Sequence, residues 1–387
     1  MVTDGPADEL ARSFQVDTWV HLLGGFVSRN TGFWKWIGNR ETAMLADALQ
    51  SIQIRQPVYV TSLARSGSTL LLEILNRHPN LSAHCYRDYP MLFTPYLWNR
   101  YLARTPQSNA RAVERTHGDG IFITPESPEA FEEILWMAFF PGLHDPLIPS
   151  VLDARTAHPD FEIFYKDHIR KLLLIRGGQR YLAKGNYNIT RLAYLLKIFE
   201  DARFVIPVRE PIWHIASLIR QHRRFCAGQQ AHPRALPHLQ RVGHFEFGLD
   251  RRPINTGNTE RLAHIIELWN HGAEVEGWAH YWAYIHDHLA DRLAADQQLQ
   301  SAVMLIRYEN FCQTARESVG ALFDHCGLAV DETLLDELAA TIRLPALKRP
   351  AMFSDDDLAT IERLTAASAN SLGLGSAALP QAVHAMK

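Results

Sequence analysis

The run Arg65-Ser66-Gly67-Ser68-Thr69 combines a fixed positive charge, hydroxyl donors and a glycine. Such a set suits an oxyanion. The guanidinium supplies charge and paired donors, the hydroxyls add more, and glycine lets backbone N–H groups approach closely. An apolar strand (Val58 to Val60, then Leu63) leads into this turn, and a leucine-rich helix (Leu70, Leu71, Leu72, Ile74, Leu75) follows at once. The first N–H groups of a helix placed so point into the turn, which predicts bound phosphate or sulfate. The plainer alternative is a strand–turn–helix with a serine-rich cap.

Two nucleotide patterns do not fit. Aligned on Gly67, the Gly-x4-Gly-Lys-Ser/Thr loop of nucleoside-triphosphate enzymes would have its first glycine at Ser62 and its lysine at Ser68. Arg65 lies on the wrong side of the glycine to replace that lysine. The dinucleotide fingerprint fails because only one glycine is present. A second segment, Arg203 to Ser217, reads as a buried strand (Phe204 to Val208) ending in Arg209-Glu210-Pro211. A helix opens at Pro211, where proline is tolerated, so Arg209 falls at a strand's C-terminal end, the ligand-binding edge of open α/β sheets. Ser217 lies nearly two turns into that helix. Taken alone, Arg209 could equally be a surface arginine capping a strand.

Together the two segments resemble the sulfotransferases that use 3′-phosphoadenosine 5′-phosphosulfate (PAPS). In that family a basic-Ser-Gly-Ser/Thr-Thr loop holds the 5′-phosphosulfate, and an Arg-acidic-Pro segment with a later serine holds the 3′-phosphate. The resemblance assigns the first role to Arg65, Ser66, Gly67, Ser68 and Thr69 and the second to Arg209 and Ser217. Tyr181-Leu-Ala-Lys-Gly-Asn186 resembles the family's central strand ending in lysine, and Ala302 to Phe311 its late strand with a Tyr-Glu pair. The likeness covers roughly 55–325 and looks closer to bacterial and carbohydrate- or peptide-modifying branches. It implies PAPS as sulfuryl donor, no metal, and a small-molecule or glycan acceptor. Glu210 stands where aspartate is commoner. The C-terminal Arg-Lys-Gly loop that completes the 3′-phosphate site in the cytosolic branch is missing, and 226–258 is one candidate to close that pocket.

Sulfuryl transfer asks for in-line placement and charge stabilisation at the leaving oxygen. Arg65, where many relatives have lysine, would act electrostatically, because arginine is a poor proton donor. A general base must take the acceptor's proton. Many relatives place a glutamate or histidine in or after the second strand, yet Leu81 to Pro90 contains no glutamate. Asp88 is the first choice, at the ligand-facing end of a strand over 80–84. His84 is second, since a histidine titrating at about 6.5 suits neutral pH. A turn cap or an ion pair with Arg87 is the structural alternative for Asp88, and a core role for His84. Lys184 ends the central strand, within reach of sulfate oxygens or acceptor, unless it is a plain strand-end lysine. Asn186 and Asn188 suit the acceptor site, as do His117 or Asp119 in a predicted turn. Tyr308 and Glu309 read as structural, and Lys348 and Arg349 as a solvated pair. A kinase-like phosphotransferase and a non-catalytic nucleotide-binding protein stay open as rival readings.

These segments need a scaffold. Strands over 57–63, 80–84, 181–184, 203–208 and 302–307 alternate with helices over 68–77, 190–200 and 212–225. That predicts an α/β fold: a mainly parallel sheet flanked by helices, a P-loop-like core with a helical N-terminal extension and a helical insertion. A single sulfotransferase domain over 1–387 is expected, with an extension at 1–54, a PAPS-binding core at 55–325 with its insertion at about 88–180, and a C-terminal helical segment at 326–387. Trp19, Phe33, Trp34, Trp36 and Ile37 are expected to pack against the sheet, with a peripheral membrane surface as the alternative, and 226–258 to form a long functional connection. From Glu274 a helix carries Trp278, Trp282, Ile285, Leu289 and Leu293 at core spacing. With 47% hydrophobic and 21% charged residues the chain is of globular type, and a net charge of −3 gives no support for nucleic-acid binding. No apolar run is long enough to span a membrane. Cys85, Cys226, Cys312 and Cys326 lack metal spacing and read as buried thiols, which makes a reducing cytoplasm the default. Sequence is silent on the acceptor's identity and on oligomeric state.

Overall fold

The computed structural model describes residues 13–104, 112–118, 120–345 and 347–374. At its centre lies a parallel sheet of β1 (Val58–Val60), β2 (Leu81–Ser82), β5 (Arg180–Lys184), β6 (Arg203–Val208) and β7 (Val303–Arg307), in the order β2-β5-β1-β6-β7. Two further strands, β3 (Val113–Glu114) and β4 (Phe122–Ile123), pair antiparallel within the insertion.

Alternation along the strands explains the layers. Tyr59, Tyr181, Ala183, Phe204, Ile206 and Val208 enter one core with the helices Pro159–Arg176, Pro211–Ala231 and Glu274–Ala295. Val58, Val60, Leu182 and Val205 face the other way, against the helices Ser68–Asn76, Ala315–His325 and Glu332–Thr341. A sheet buried on both faces needs apolar residues at successive positions, which is why these strands read as continuous apolar runs. Trp278, Trp282, Ile285, Leu289 and Leu293 are all buried, as core spacing predicts. Ser354 caps the helix Asp355–Ser371: its hydroxyl accepts the Asp357 N–H at 3.1 Å, and the Asp357 carboxylate accepts the Ser354 N–H at 2.9 Å.

Strand order fixes the site. The chain leaves β1 for the β5–β2 side and later returns to β6 on the other side. Register pairs Val60 with Lys184 and with Val205, so the loops after these strands emerge at one edge. That edge, beside a strand with neighbours in both directions, is a topological switch point.

Two expectations change. The N-terminal helices Thr18–Arg29 and Thr31–Met44 do form, but Trp19, Phe33 and Trp36 are about half exposed rather than packed on the sheet. Their buried faces are instead lined by glycine. A Cβ on Gly24 would meet the Tyr89 side chain, and one on Gly38 the Phe93 carbonyl at 2.6 Å. Only Trp34 among the larger aromatics of this pair packs partly against the core. The stretch 226–258 is also less loop-like than expected. The helix runs on to Ala231 and a second, Ala235–Arg241, follows. Gly228 lies within it, and a side chain there would collide with the Phe14 ring packed against the helix.

The described cysteines are unpaired, with Cys85, Cys312 and Cys326 buried. No helix among the described residues is long and apolar enough to cross a membrane.

Candidate active site

The loop after β1 has the backbone an anion cradle requires. Arg65 (φ 71°) and Gly67 (φ 104°) both adopt left-handed conformations. For arginine that conformation is uncommon and points to a functional constraint. Among the described residues, the N–H groups of Gly67, Ser68 and Thr69 donate to no protein acceptor, and the buried Ser66 hydroxyl has no partner. These donors stand at the start of the helix Ser68–Asn76, where its dipole favours an anion. Gly67 lies against the Tyr308 ring, and a Cβ there would collide with ring carbon Cδ2. Gly67→Ala is therefore expected to cost about 1–3 kcal/mol, from the φ and the clash together, read as a lower Tm.

His214 braces the loop from behind. The Trp282 indole N–H donates to His214 Nδ1 at 3.1 Å, which leaves Nε2–H to donate to the Ala64 carbonyl at 2.8 Å. Burial first, then the nearby arginines, holds His214 well below the ordinary histidine value, so the ring stays neutral.

The two segments singled out in sequence meet here. Arg65 Nε donates to Ser217 Oγ at 3.4 Å, and Arg209 Nη1 donates to the Arg65 carbonyl at 3.5 Å. The Arg209 guanidinium stands 5.4 Å from the Tyr308 ring centroid and 3.7 Å from Glu309 Oε1. Glu309 also accepts the Glu210 N–H at 3.3 Å, and Arg307 pairs with Glu210 at 2.6 Å. Strand β7 and the short helix after it, Tyr308–Gln313, thus fasten Arg209 in place. Beyond it, the Trp213 indole donates to the Lys348 carbonyl at 3.0 Å, so chain near 348 lies over the helix beside Arg209. The 226–258 stretch divides: Glu246, Phe247 and Arg251 to Ile254 line a small pocket with Leu63 and Ala64 at the base of the loop, while His238, Leu239, Val242 and His244 line a larger cleft.

That cleft, of about 790 Å³, opens next to the loop. Arg115 joins the two, donating from Nη1 to Thr69 Oγ1 at 3.1 Å. Lys184 sits between them: burial lowers its pKa, while Glu129 of the cleft wall and Glu246 oppose Arg115 and Arg65. Glu129 accepts the Ala130 N–H at 2.6 Å and a hydrogen bond from Tyr86. Burial would raise its pKa, but Lys184 and these donors carry it below the carboxylate norm. His244 Nδ1 lies 2.9 Å from Glu246 Oε2, and Glu246 Oε1 accepts from Asn186 Nδ2 at 2.7 Å. Burial alone would depress His244, yet the Glu246 carboxylate lifts it above 6.5. Glu246 is itself pulled down to about 2: burial would raise it, but the His244 charge and the hydrogen bonds from His244 and Asn186 together outweigh burial. His117 is held low by burial and by Arg115 and Arg65.

The structure does not bring Asp88 or His84 to this cleft. Asp88 is 1% exposed. Its oxygens accept from the Cys85 N–H at 2.9 Å, Asn99 Nδ2 at 3.0 Å and Arg176 Nη2 at 2.6 Å. His84 is buried with Nε2 3.1 Å from His168 Nε2 and Nδ1 3.5 Å from Asp88. Burial raises the Asp88 pKa, but His84, Arg176 and the Cys85 N–H pull it far below 3.8. A depressed carboxylate contributes stability that is fully present above its unfolded value and is lost as pH falls toward the folded one. Asp88→Asn is thus expected to cost about 3 kcal/mol at neutral pH, and its deficit to shrink on acidification in thermal unfolding.

Asn188 is buried and lies behind Gly185, while Asp119 falls outside the described residues. Arg349 pairs at the surface with Asp355 at 2.6 Å. Sequence reading passed over Arg115, Glu129, His244 and Glu246. The last two lie in a stretch marked as functional by its length, and their i, i+2 spacing was the available signal. Nothing local marks Arg115 or Glu129. Among the described residues no cluster of three or more His, Cys, Asp or Glu is placed to hold a metal ion.

No curated protein matches this sequence. Among solved structures, the sulfotransferase STF9 of Mycobacterium avium is similar in fold, with a TM-score of 0.50, 14% identity, and coverage of 86% of this chain and 81% of that one. The sulfotransferase STF1 of Mycobacterium tuberculosis aligns over 95% of this chain and 93% of its own, at 13% identity and a TM-score of 0.49. Residues 57–244 match the sequence profile described as the Sulfotransferase family. That span, just under half of the chain, holds the anion loop, Lys184, Arg209, Ser217 and His244, and over it the chain is similar to the sulfotransferase family.

Proposed function

We propose that the protein transfers a sulfuryl group from PAPS to a hydroxyl, or an amine, of an acceptor bound in the cleft. The observation that carries this reading is the meeting of Arg65 and Ser217 at 3.4 Å across 152 positions of chain, with Arg209 against the same loop. Two anion-binding segments brought together suit a ligand with two separated anionic groups. The unpartnered Ser66 hydroxyl and the free N–H groups of the loop fit the 5′ end, and Arg209 with Ser217 the 3′-phosphate. When bound, PAPS supplies sulfur already activated as a phosphosulfate anhydride.

The protein's share of the reaction follows from charge and proton placement. Arg65, Lys184 and the loop N–H groups stabilise the charge that develops on the leaving phosphate oxygen. His244 takes the acceptor's proton on Nε2 while Glu246 holds its Nδ1–H. A base works best when its pKa lies near the operating pH. Glu129 and Glu246 are held too low for this, whereas His244 is lifted above 6.5. Glu129 then serves as the counter-charge of Lys184, and Asp88 and His84 act in packing. We read 1–387 as one sulfotransferase domain, and its unpaired thiols suit a reducing cytoplasm.

The test is label transfer. With radiolabelled PAPS and a panel of alcohols, phenols and sugars, label is expected in an acceptor together with stoichiometric release of 3′,5′-ADP. Transfer from labelled ATP, or from neither donor, would move the kinase-like or the non-catalytic reading ahead.

A further inference from the structure

We infer that the acceptor is a lipid-like alcohol, with an elongated apolar body in the cleft and its hydroxyl at the His244 end. The inference rests on the sulfotransfer reading for the fate of that hydroxyl, and on the cleft alone for the fit of the body. Four polar side chains of the cleft, Arg115, His117, Glu129 and His244, gather about Lys184 and the anion loop, and Asp17, Arg87, Thr116, Thr124 and His238 also line it. The rest of the wall is largely apolar, with Trp19, Tyr89, Trp98, Phe131, Leu239 and Val242 prominent. Two of these aromatics keep their polar atoms out of the cleft. The Trp98 indole N–H donates to the Arg87 carbonyl at 2.8 Å, and the Tyr89 hydroxyl abuts Gly24 of the first helix. A sugar with hydroxyls around its ring would leave them unpaired along this wall, which is costly; an alkyl or aryl body would not.

A second observation extends the apolar path outward. Trp19, Leu22 and Phe26 follow helical spacing on Thr18–Arg29 and are 56%, 64% and 49% exposed; Phe33 and Trp36 on the next helix are 49% and 51% exposed. Trp19 belongs both to this stripe and to the cleft wall. Exposed Arg29 and Arg40 flank it. Continuous apolar surface from cleft to exterior, with basic residues beside it, fits a long-chain alcohol either free or dissolved in a lipid layer.

The experiment uses the full chain. Intrinsic tryptophan fluorescence follows decanol free in solution and maltotriose, and cosedimentation follows phosphatidylcholine–phosphatidylglycerol vesicles with and without hexadecanol. Saturable decanol binding supports the class and assigns a free alcohol. Vesicle binding that increases with hexadecanol supports it and assigns a membrane-dissolved one. Trp19→Ser and Val113→Asp, both at exposed rim positions, are each expected to weaken binding about tenfold with Tm unchanged. Response to maltotriose but to neither alcohol overturns the inference, as does response to no probe, or alcohol binding that both variants leave intact. Alcohol binding without sulfate transfer from PAPS supports it and counts instead against the sulfotransfer reading.

Discussion

Replacing His244 with glutamine is expected to lower kcat by roughly 10²–10⁴-fold, the usual contribution of a positioned general base. Glutamine keeps much of the side chain's bulk and removes the proton acceptor, so the loss should appear in turnover while stabilisation by 3′,5′-ADP persists. The pH profile gives a sharper signature. Only neutral His244 can accept a proton, so kcat rises with pH through a limb centred above 6.5, because Glu246 raises the histidine's pKa. Glu246→Gln removes that charge and should move the limb to lower pH while lowering its plateau, since the ring loses its fixed orientation. A profile that does not move in Glu246→Gln, or full turnover in His244→Gln, would remove the pair from the mechanism and reopen Glu129 as base.

Arg209→Ala is expected to weaken 3′,5′-ADP binding by roughly 10²-fold or more, since truncating one side of a half-buried charged contact costs about 2–5 kcal/mol. Binding of 5′-ADP, which lacks the 3′-phosphate, should change much less. That contrast separates loss of a phosphate contact from general damage to the loop. Glu309 is left without its cation in this variant, so Arg209→Lys is the better control for folding. Lysine keeps the charge but not the paired donors, and intermediate affinity is expected. Equal losses for both nucleotides would place Arg209 in loop support.

The parts of the site that depend on contiguous chain were legible in the sequence. A strand ending in Arg-Ser-Gly-Ser-Thr and another ending in Arg209 each carry their geometry locally: apolar runs set the strands, Gly67 permits the turn, and Pro211 starts the helix. The parallel order was predictable because helices separate the strands. What could not be read was the far wall. Arg115 and Glu129 come from the insertion, and His244 with Glu246 from beyond the long helix after β6, so only tertiary packing brings them to Lys184. Asp88 drew attention because it follows the second strand. Its partners Arg176 and Asn99 are distant in sequence, and they turn it inward. The exposed aromatics of the first helices misled for a related reason. Hydrophobicity foretold burial, but close packing through Gly24 and Gly38 left those side chains on the outer face.

The central claim is a pocket that reads a 3′-phosphate, and thermal unfolding with 3′,5′-ADP, 5′-ADP and ATP tests it most directly. A ligand at about 100 times its Kd adds roughly 2.7 kcal/mol, a shift of a few degrees for a chain of this size. The account predicts a shift with 3′,5′-ADP well beyond the other two, lost in Arg209→Ala. A preference for ATP, or no shift with any of them, would contradict it.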